Sequence, residues 1–157
     1  MRLISGLRSA ELTSLRPFPK PSSVWSRSGL SYERNVVKAL RGSGLSVLHN
    51  PAFTFKDRLG VGYCVLDALV ADYRGRTLIF ECKLTYKAEA VVKLNRLYIP
   101  IVKSALGLSS VTAIVVAKNL TPDSPAPFFT LESVLCSTPQ QQNLIQWLGR
   151  GKTFPLT

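Results

Sequence analysis

Two periods of apolar residues alternate along the chain, one near 3.6 and one of two, and their boundaries mark the expected elements. Tyr32, Val36, Val37 and Leu40 share a helical face, with Ser31 as N-cap ahead of them and Gly42 and Gly44 behind, which predicts a helix from Tyr32 to Arg41. Val47 to Phe55 reads as a strand that Pro51 interrupts, and Lys56 to Gly62 as a loop. Tyr63 to Asp72 and Thr77 to Leu84 are β-rich runs on either side of Tyr73-Arg74-Gly75-Arg76, the pattern of a hairpin. Val91, Leu94, Tyr98, Ile101 and Ala105 return to helical spacing, predicting a helix from Lys87 to Leu106 that Pro100 must kink or split. Val111 to Ala117 is a nearly continuous β-branched run, as in a strand buried on both faces. After a proline-rich loop, Phe128 to Leu135 reads as an edge strand, and Thr138-Pro139 with Gln141 opens a last helix ending near Gly149. The order helix, three strands, helix, strand, then a peripheral strand and helix predicts an α/β fold with a mixed central sheet flanked by helices.

Length and charge narrow what such a fold would serve. A chain of 157 residues suits one core. Residues 1–28 hold five basic residues, Glu11 as their acid, and Pro17, Pro19 and Pro21. They read as a flexible basic arm, although an organelle transit segment has similar letters. The domain then covers 29–157, with a core at 31–117 and an extension at 118–157. Twenty Lys and Arg against nine Asp and Glu give a net charge of +11, scattered along the chain, so a polyanion is the natural partner. No apolar run is long enough to span a bilayer, and a membrane partner is not expected. Cys64, Cys82 and Cys136 lack metal-type spacing and point to a reducing compartment such as the cytoplasm.

Two acids stand where a strand should be apolar. Asp67 interrupts Val65 to Val70, and Glu81 interrupts Leu78 to Cys82. A buried, unpaired carboxylate is too costly for a small domain, so a cation or a bound proton must compensate. Lys83 follows Glu81 by two residues and shares its face, while Cys82 points to the other. A three-residue loop, Arg74-Gly75-Arg76, would set Asp67 opposite Lys83 and diagonal to Glu81, and a register moved by two would set Asp67 against Glu81. A two-residue loop would turn Asp67 to the face of Cys82, so the cluster itself predicts the longer loop. Converging carboxylates suit Mg²⁺, with Mn²⁺ as substitute, and phosphodiester hydrolysis is the chemistry such an ion and a lysine would serve. A cross-strand ion pair of Asp67 with Lys83 is the plainer alternative, and it leaves Glu81 unexplained.

An Asp, a variable hairpin and Glu-x-Lys, here Asp67 and Glu81-Cys82-Lys83, resemble the PD-(D/E)XK nuclease superfamily. The segment order over Ser31 to Ala117 is similar to that family's restriction-endonuclease-like αβββαβ core. The resemblance implies that Asp67 and Glu81 bind the metal, that the backbone carbonyl of Cys82 joins them, and that Lys83 assists the attacking water. The usual Pro before the Asp is Leu66 here. In Holliday-junction resolvase-like and phage-type branches a further Glu sits on the first helix, and Glu33 matches it; an acid in a first turn also simply complements the helix dipole. Lys93 resembles the Gln or Lys that many members carry after Glu-x-Lys. The resemblance implies a Mg²⁺-dependent endonuclease acting on DNA, with RNA as the other candidate, a homodimer as in resolvase-like members, and a place in the cytoplasm or a phage particle.

Other basic residues leave two readings each. Lys93, Arg96 and Lys103 form one helical stripe that would track a phosphate backbone or face solvent. Lys56 and Arg58, and Arg74 and Arg76 at the hairpin tip, would contact substrate or solvate turns. His49, the sole histidine, reads as structural. A rival function class is a non-catalytic DNA-binding or phage-particle assembly module that keeps the fold for architecture.

Overall fold

Val36 and Leu40 are fully buried and Val37 nearly so, and their helical spacing holds one face of helix α1, Val24–Gly42, on a sheet. The computed structural model describes residues 2–13, 24–137 and 142–157. In chain order the strands are β1 Ser9–Thr13, β2 Leu48–His49, β3 Ala52–Asp57, β4 Gly60–Val65, β5 Ala68–Tyr73, β6 Arg76–Thr85, β7 Thr112–Asn119 and β8 Leu144–Gln146. Between β6 and β7 run helix α2, Ala88–Lys93, a π-helical turn, Leu94–Tyr98, and helix α3, Ile99–Leu106; helix α4 is Leu131–Leu135.

Five strands form a mixed sheet ordered β2-β5-β6-β7-β8, with β6, β7 and β8 parallel and the β2–β5 and β5–β6 pairs antiparallel. Alternation along β6 and β7 divides the core between its two faces. Leu78, Phe80, Ile114 and Val116 pack with α1 and α4, while Ile79, Val115 and Ala117 pack with α2, the π-helical turn and α3. The second face also receives Phe53, Phe55 and Cys64 from a separate antiparallel sheet ordered β1-β3-β4. The chain is thus an α/β fold with a mixed sheet flanked by helices. No helix among the described residues is long and apolar enough to cross a membrane.

Several expected elements are corrected. The helix starts at Val24, so Ser31 is an exposed interior residue and not its N-cap; Gly29 lowers helix propensity locally without ending the helix. Part of the expected flexible arm is strand β1, paired residue by residue with β3 from Ser9 opposite Lys56 to Thr13 opposite Ala52. The Lys56 to Gly62 loop shrinks to a tight turn, with Asp57 opposite Gly60. Phe128 to Leu135 is no edge strand: the Thr130 hydroxyl accepts the Ser133 N–H at 3.1 Å, and Leu131 and Val134 are buried at a spacing of three, which makes α4. The last helix, expected from Thr138, begins outside the described residues, and Leu144–Gln146 is strand β8. Leu144 packs into one face of the sheet and Ile145 into the other, an alternation that only a strand covered on both sides satisfies.

Candidate functional site

The site lies at a corner of a continuous β-ribbon. Leu48 opposite Leu69, His49 opposite Ala68 and Ala52 opposite Val65 keep one register, yet the first two pairs belong to the five-stranded sheet and the third to the smaller one. The ribbon bends at Asn50-Pro51 and Leu66-Asp67. Asn50 has φ 54°, a left-handed conformation that asparagine tolerates, and the following proline forbids a helical continuation. Its N–H donates to the Asp67 carbonyl at 3.0 Å, the Leu66 N–H donates to the Pro51 carbonyl at 3.1 Å, and Asn50 Nδ2 donates to the Leu66 carbonyl at 3.2 Å. Asp67 therefore sits in a bend where its carboxylate meets groups from several elements.

The expected three-residue hairpin loop is absent, since Tyr73 pairs with Arg76 across Arg74 and Gly75, with φ 53° and 78°. Such a two-residue turn matches the twist of the strands. Alone it would turn Asp67 toward the face of Cys82. An irregularity between Val70 and Tyr73, where the Thr77 hydroxyl donates to the Ala71 carbonyl at 2.8 Å, adds one residue to β5. Ala68 then faces Phe80, and one further step of that register sets Asp67 beside Glu81.

The cluster sets its acids against burial and against one another. Asp67 Oδ2 accepts the Cys82 N–H at 2.6 Å. Burial, then the hydrogen bond and charge of Glu33, push the Asp67 carboxyl well above the usual carboxylate range, against the opposing pull of the Cys82 N–H and Lys83. Glu81 is buried, and burial followed by the charge of Asp67 raises it to about 7 despite Lys93 and Lys83. Glu81 Oε1 lies 3.4 Å from Lys83 Nζ and 3.5 Å from Lys93 Nζ, while its buried Oε2 has no hydrogen-bond partner among the described residues. The site is short of positive charge although two ammonium groups face it.

Of the expected site residues, the structure gathers Asp67, Glu81, Lys83, Lys93 and Glu33, with the backbone of Cys82. Glu33, buried on α1, accepts a hydrogen bond from Asn50 Nδ2 at 3.1 Å and pairs with His49 Nε2 at 3.4 Å, so His49 buttresses the site. Lys56 and Arg58 fall elsewhere, at the far end of the β3–β4 hairpin, about 17 Å along the ribbon from Val65. Arg96 is exposed, and Lys103 is half-buried on α3; the π-helical turn between Lys93 and Lys103 breaks the single stripe that α-helical spacing predicts. Arg74 and Arg76 turn to α4, pairing with Glu132 at 3.4 Å and donating to the Leu135 carbonyl at 3.0 Å.

Compared with family models, curated proteins and solved structures, the chain matches none. The site therefore rests on its own geometry. Among the described residues no three His, Cys, Asp or Glu side chains are grouped to hold a metal ion. A cavity of about 610 Å³ lined by Thr77, Asn95, Thr112 and Asn143 excludes all three carboxylates.

Tyr98 is the neighbour of this cluster that spacing alone misses. Its ring lies under Lys93 Nζ, 5.1 Å from the centroid, and its hydroxyl donates to the Val65 carbonyl at 3.2 Å. Burial, with the charges of Glu81 and Asp67, raises this phenol far above its ordinary value and keeps it protonated. Residues five apart diverge on an α-helix and stack only on a π-helical turn. Pro100, which cannot bond back to the Arg96 carbonyl, was the available signal.

Proposed function

We propose that the chain is a Mg²⁺-dependent nuclease of the PD-(D/E)XK type that hydrolyses DNA phosphodiester bonds. The observation that carries this reading is the buried Glu81, its Oε2 unpartnered among the described residues, beside Asp67 and two lysines. A divalent ion fits the donor set: two carboxylates in an apolar setting hold protons that they would release to a hard cation. Asp67 and Glu81 would hold it with the Cys82 carbonyl, leaving other positions to water and phosphate, as Mg²⁺ prefers. Glu33, bonded to Asp67 and anchored by Asn50 and His49, orients that carboxylate. When bound, the ion supplies Lewis-acid polarisation of the phosphate and acidifies a water molecule.

The chain's own groups account for the remaining roles. Lys83 is one-third exposed, placing an ammonium between the buried Glu81 and solvent, where it positions a water and offsets charge on the pentacovalent phosphate. Lys93 does the same from the helical side, its ammonium held by the Tyr98 ring. Supercoiled, linear, single-stranded and four-way-junction DNA incubated with and without Mg²⁺ test the reading. Cleavage is expected with the ion, and Asp67→Asn or Lys83→Ala should abolish it with the circular dichroism spectrum unchanged; full activity in either pure variant rules the reading out.

The absence of a three-residue ligand group among the described residues favours a second reading, a DNA-binding module without catalysis. Calorimetric titration with Mn²⁺ separates the two, because no heat at millimolar metal would support the module.

A further inference from the structure

The outer face of α1 carries a chemistry unrelated to its packing. Arg27, Arg34, Lys38 and Arg41 are all exposed, and their spacings of seven, four and three put them within an arc of about 60° along about 21 Å of helix. Ser28, Ser31 and Asn35, also exposed, flank them. From Arg27 to Gly42 the helix has one acid, Glu33, buried beside His49 on another face. Among the described residues none of the four cations joins an ion pair. Arg41 donates to the Val47 carbonyl at 2.9 Å and remains exposed.

Arg41 complements the C-terminal dipole of α1, but like charges three and four residues apart weaken a helix, so the stripe as a whole does not serve α1 itself. Lipid surfaces are gripped by apolar residues beside the cations, and none is exposed on this stretch. Single strands are gripped by stacking on aromatic rings, and no exposed residue from Arg27 to Gly42 is aromatic. A straight row of cations flanked by small hydroxyl and amide side chains fits a rigid row of phosphates.

We infer that the outer face of α1 is a track for the phosphate backbone of duplex nucleic acid, gripping charge and shape without reading bases. Arg34 directly follows Glu33, so a backbone on this track passes the helix turn that reaches Asp67. The inference rests on the proposed function only in sharing its substrate class.

The test measures binding of a fluorescent duplex by anisotropy over a salt series, in EDTA so that no cleavage occurs. The full chain is compared with a variant carrying Arg27→Gln, Arg34→Gln, Lys38→Gln and Arg41→Gln. A second variant, with Arg8→Gln, Lys87→Gln, Lys118→Gln and Arg150→Gln, has the same net charge. The α1 variant is expected to bind at least about tenfold more weakly and to lose about three to four from the slope of log affinity against log salt, and the matched variant about one or less. Equal losses in both variants, no change in a folded α1 variant, or tighter binding of anionic vesicles, polyglutamate or single strands than of duplex would overturn the track. Failure to cleave DNA in Mg²⁺ would sink the nuclease reading and leave this result standing.

Discussion

Glu81 is paired with two lysines and still holds its proton more tightly than a free carboxyl, raised to about 7, with Asp67 raised beside it. The sign for stability follows from proton counts: between the unfolded values near 4 and the folded values, the native state binds protons that the unfolded chain has lost. Metal-free stability therefore falls as pH rises from about 4 through neutrality. For Glu81, the rise from 4.5 to about 7 corresponds to about 3 kcal/mol at the upper end. Thermal melts in EDTA should show the melting temperature dropping over this range, and Glu81→Gln, which mimics the protonated acid, should flatten the drop. Mg²⁺ should raise the melting temperature more at pH 8 than at pH 5. A metal-free profile that climbs toward pH 8 would show that the lysines already neutralise the pair.

The β5–β6 hairpin shows how much of the site a reader of the sequence could see. Alternation placed Glu81 and Lys83 on one face and identified Asp67 as their partner, because acids inside β-branched runs are visible as such. Asp67 reaches Glu81 through a tight turn plus an extra residue in β5, where spacing alone offered a longer loop. A bulge in β5 and an added loop residue both return Asp67 to the face of Glu81, and only the pairing separates them, the loop setting Asp67 against Lys83 and the bulge against Glu81. The π-helical turn hid Tyr98 for the same reason, by adding a residue that no apolar period records. Deleting Ala71, exposed within the irregular stretch, should remove the extra residue and carry the Tyr73–Arg76 pairing straight into Val70 opposite Leu78, leaving Asp67 beside Glu81. Cleavage should then stay within about tenfold of the wild type, with the strand signal in circular dichroism kept. Loss of cleavage in a folded variant would mean that the bulge itself, and not the register, places Asp67.

At the scale of the whole molecule, the ribbon corner that creates the site also divides the strands between two sheets, and the smaller sheet depends on the N-terminal segment. Reading residues 1–28 as an arm overlooked this, because the partners of Arg2 and Ser9 lie some fifty residues away in sequence. Arg2 pairs with the buried Asp57 and donates to the Val61 carbonyl at 2.8 Å, while the Ser5 and Leu59 N–H groups donate to the same carboxylate at 3.1 and 2.9 Å. Burial by itself would raise Asp57; these donors and the guanidinium outweigh it and hold the carboxyl below its ordinary value. The Ile4 N–H meets the Arg96 carbonyl at 3.5 Å, the group that Pro100 leaves without its helical donor, so the segment also touches the helices behind the site. A lowered carboxyl contributes stability above its unfolded value near 4, and that contribution disappears as pH falls through the folded value. Arg2→Gln should therefore lower the melting temperature by several degrees at neutral pH, and the two proteins should converge toward pH 3. Hydrogen exchange should quicken first along β1 in the variant, where pairing with β3 is the main anchor left. If the variant melts with the wild type at neutral pH, Arg2 is no anchor, and β1 with the backbone bonds of Ile4 and Ser5 holds the N-terminal segment.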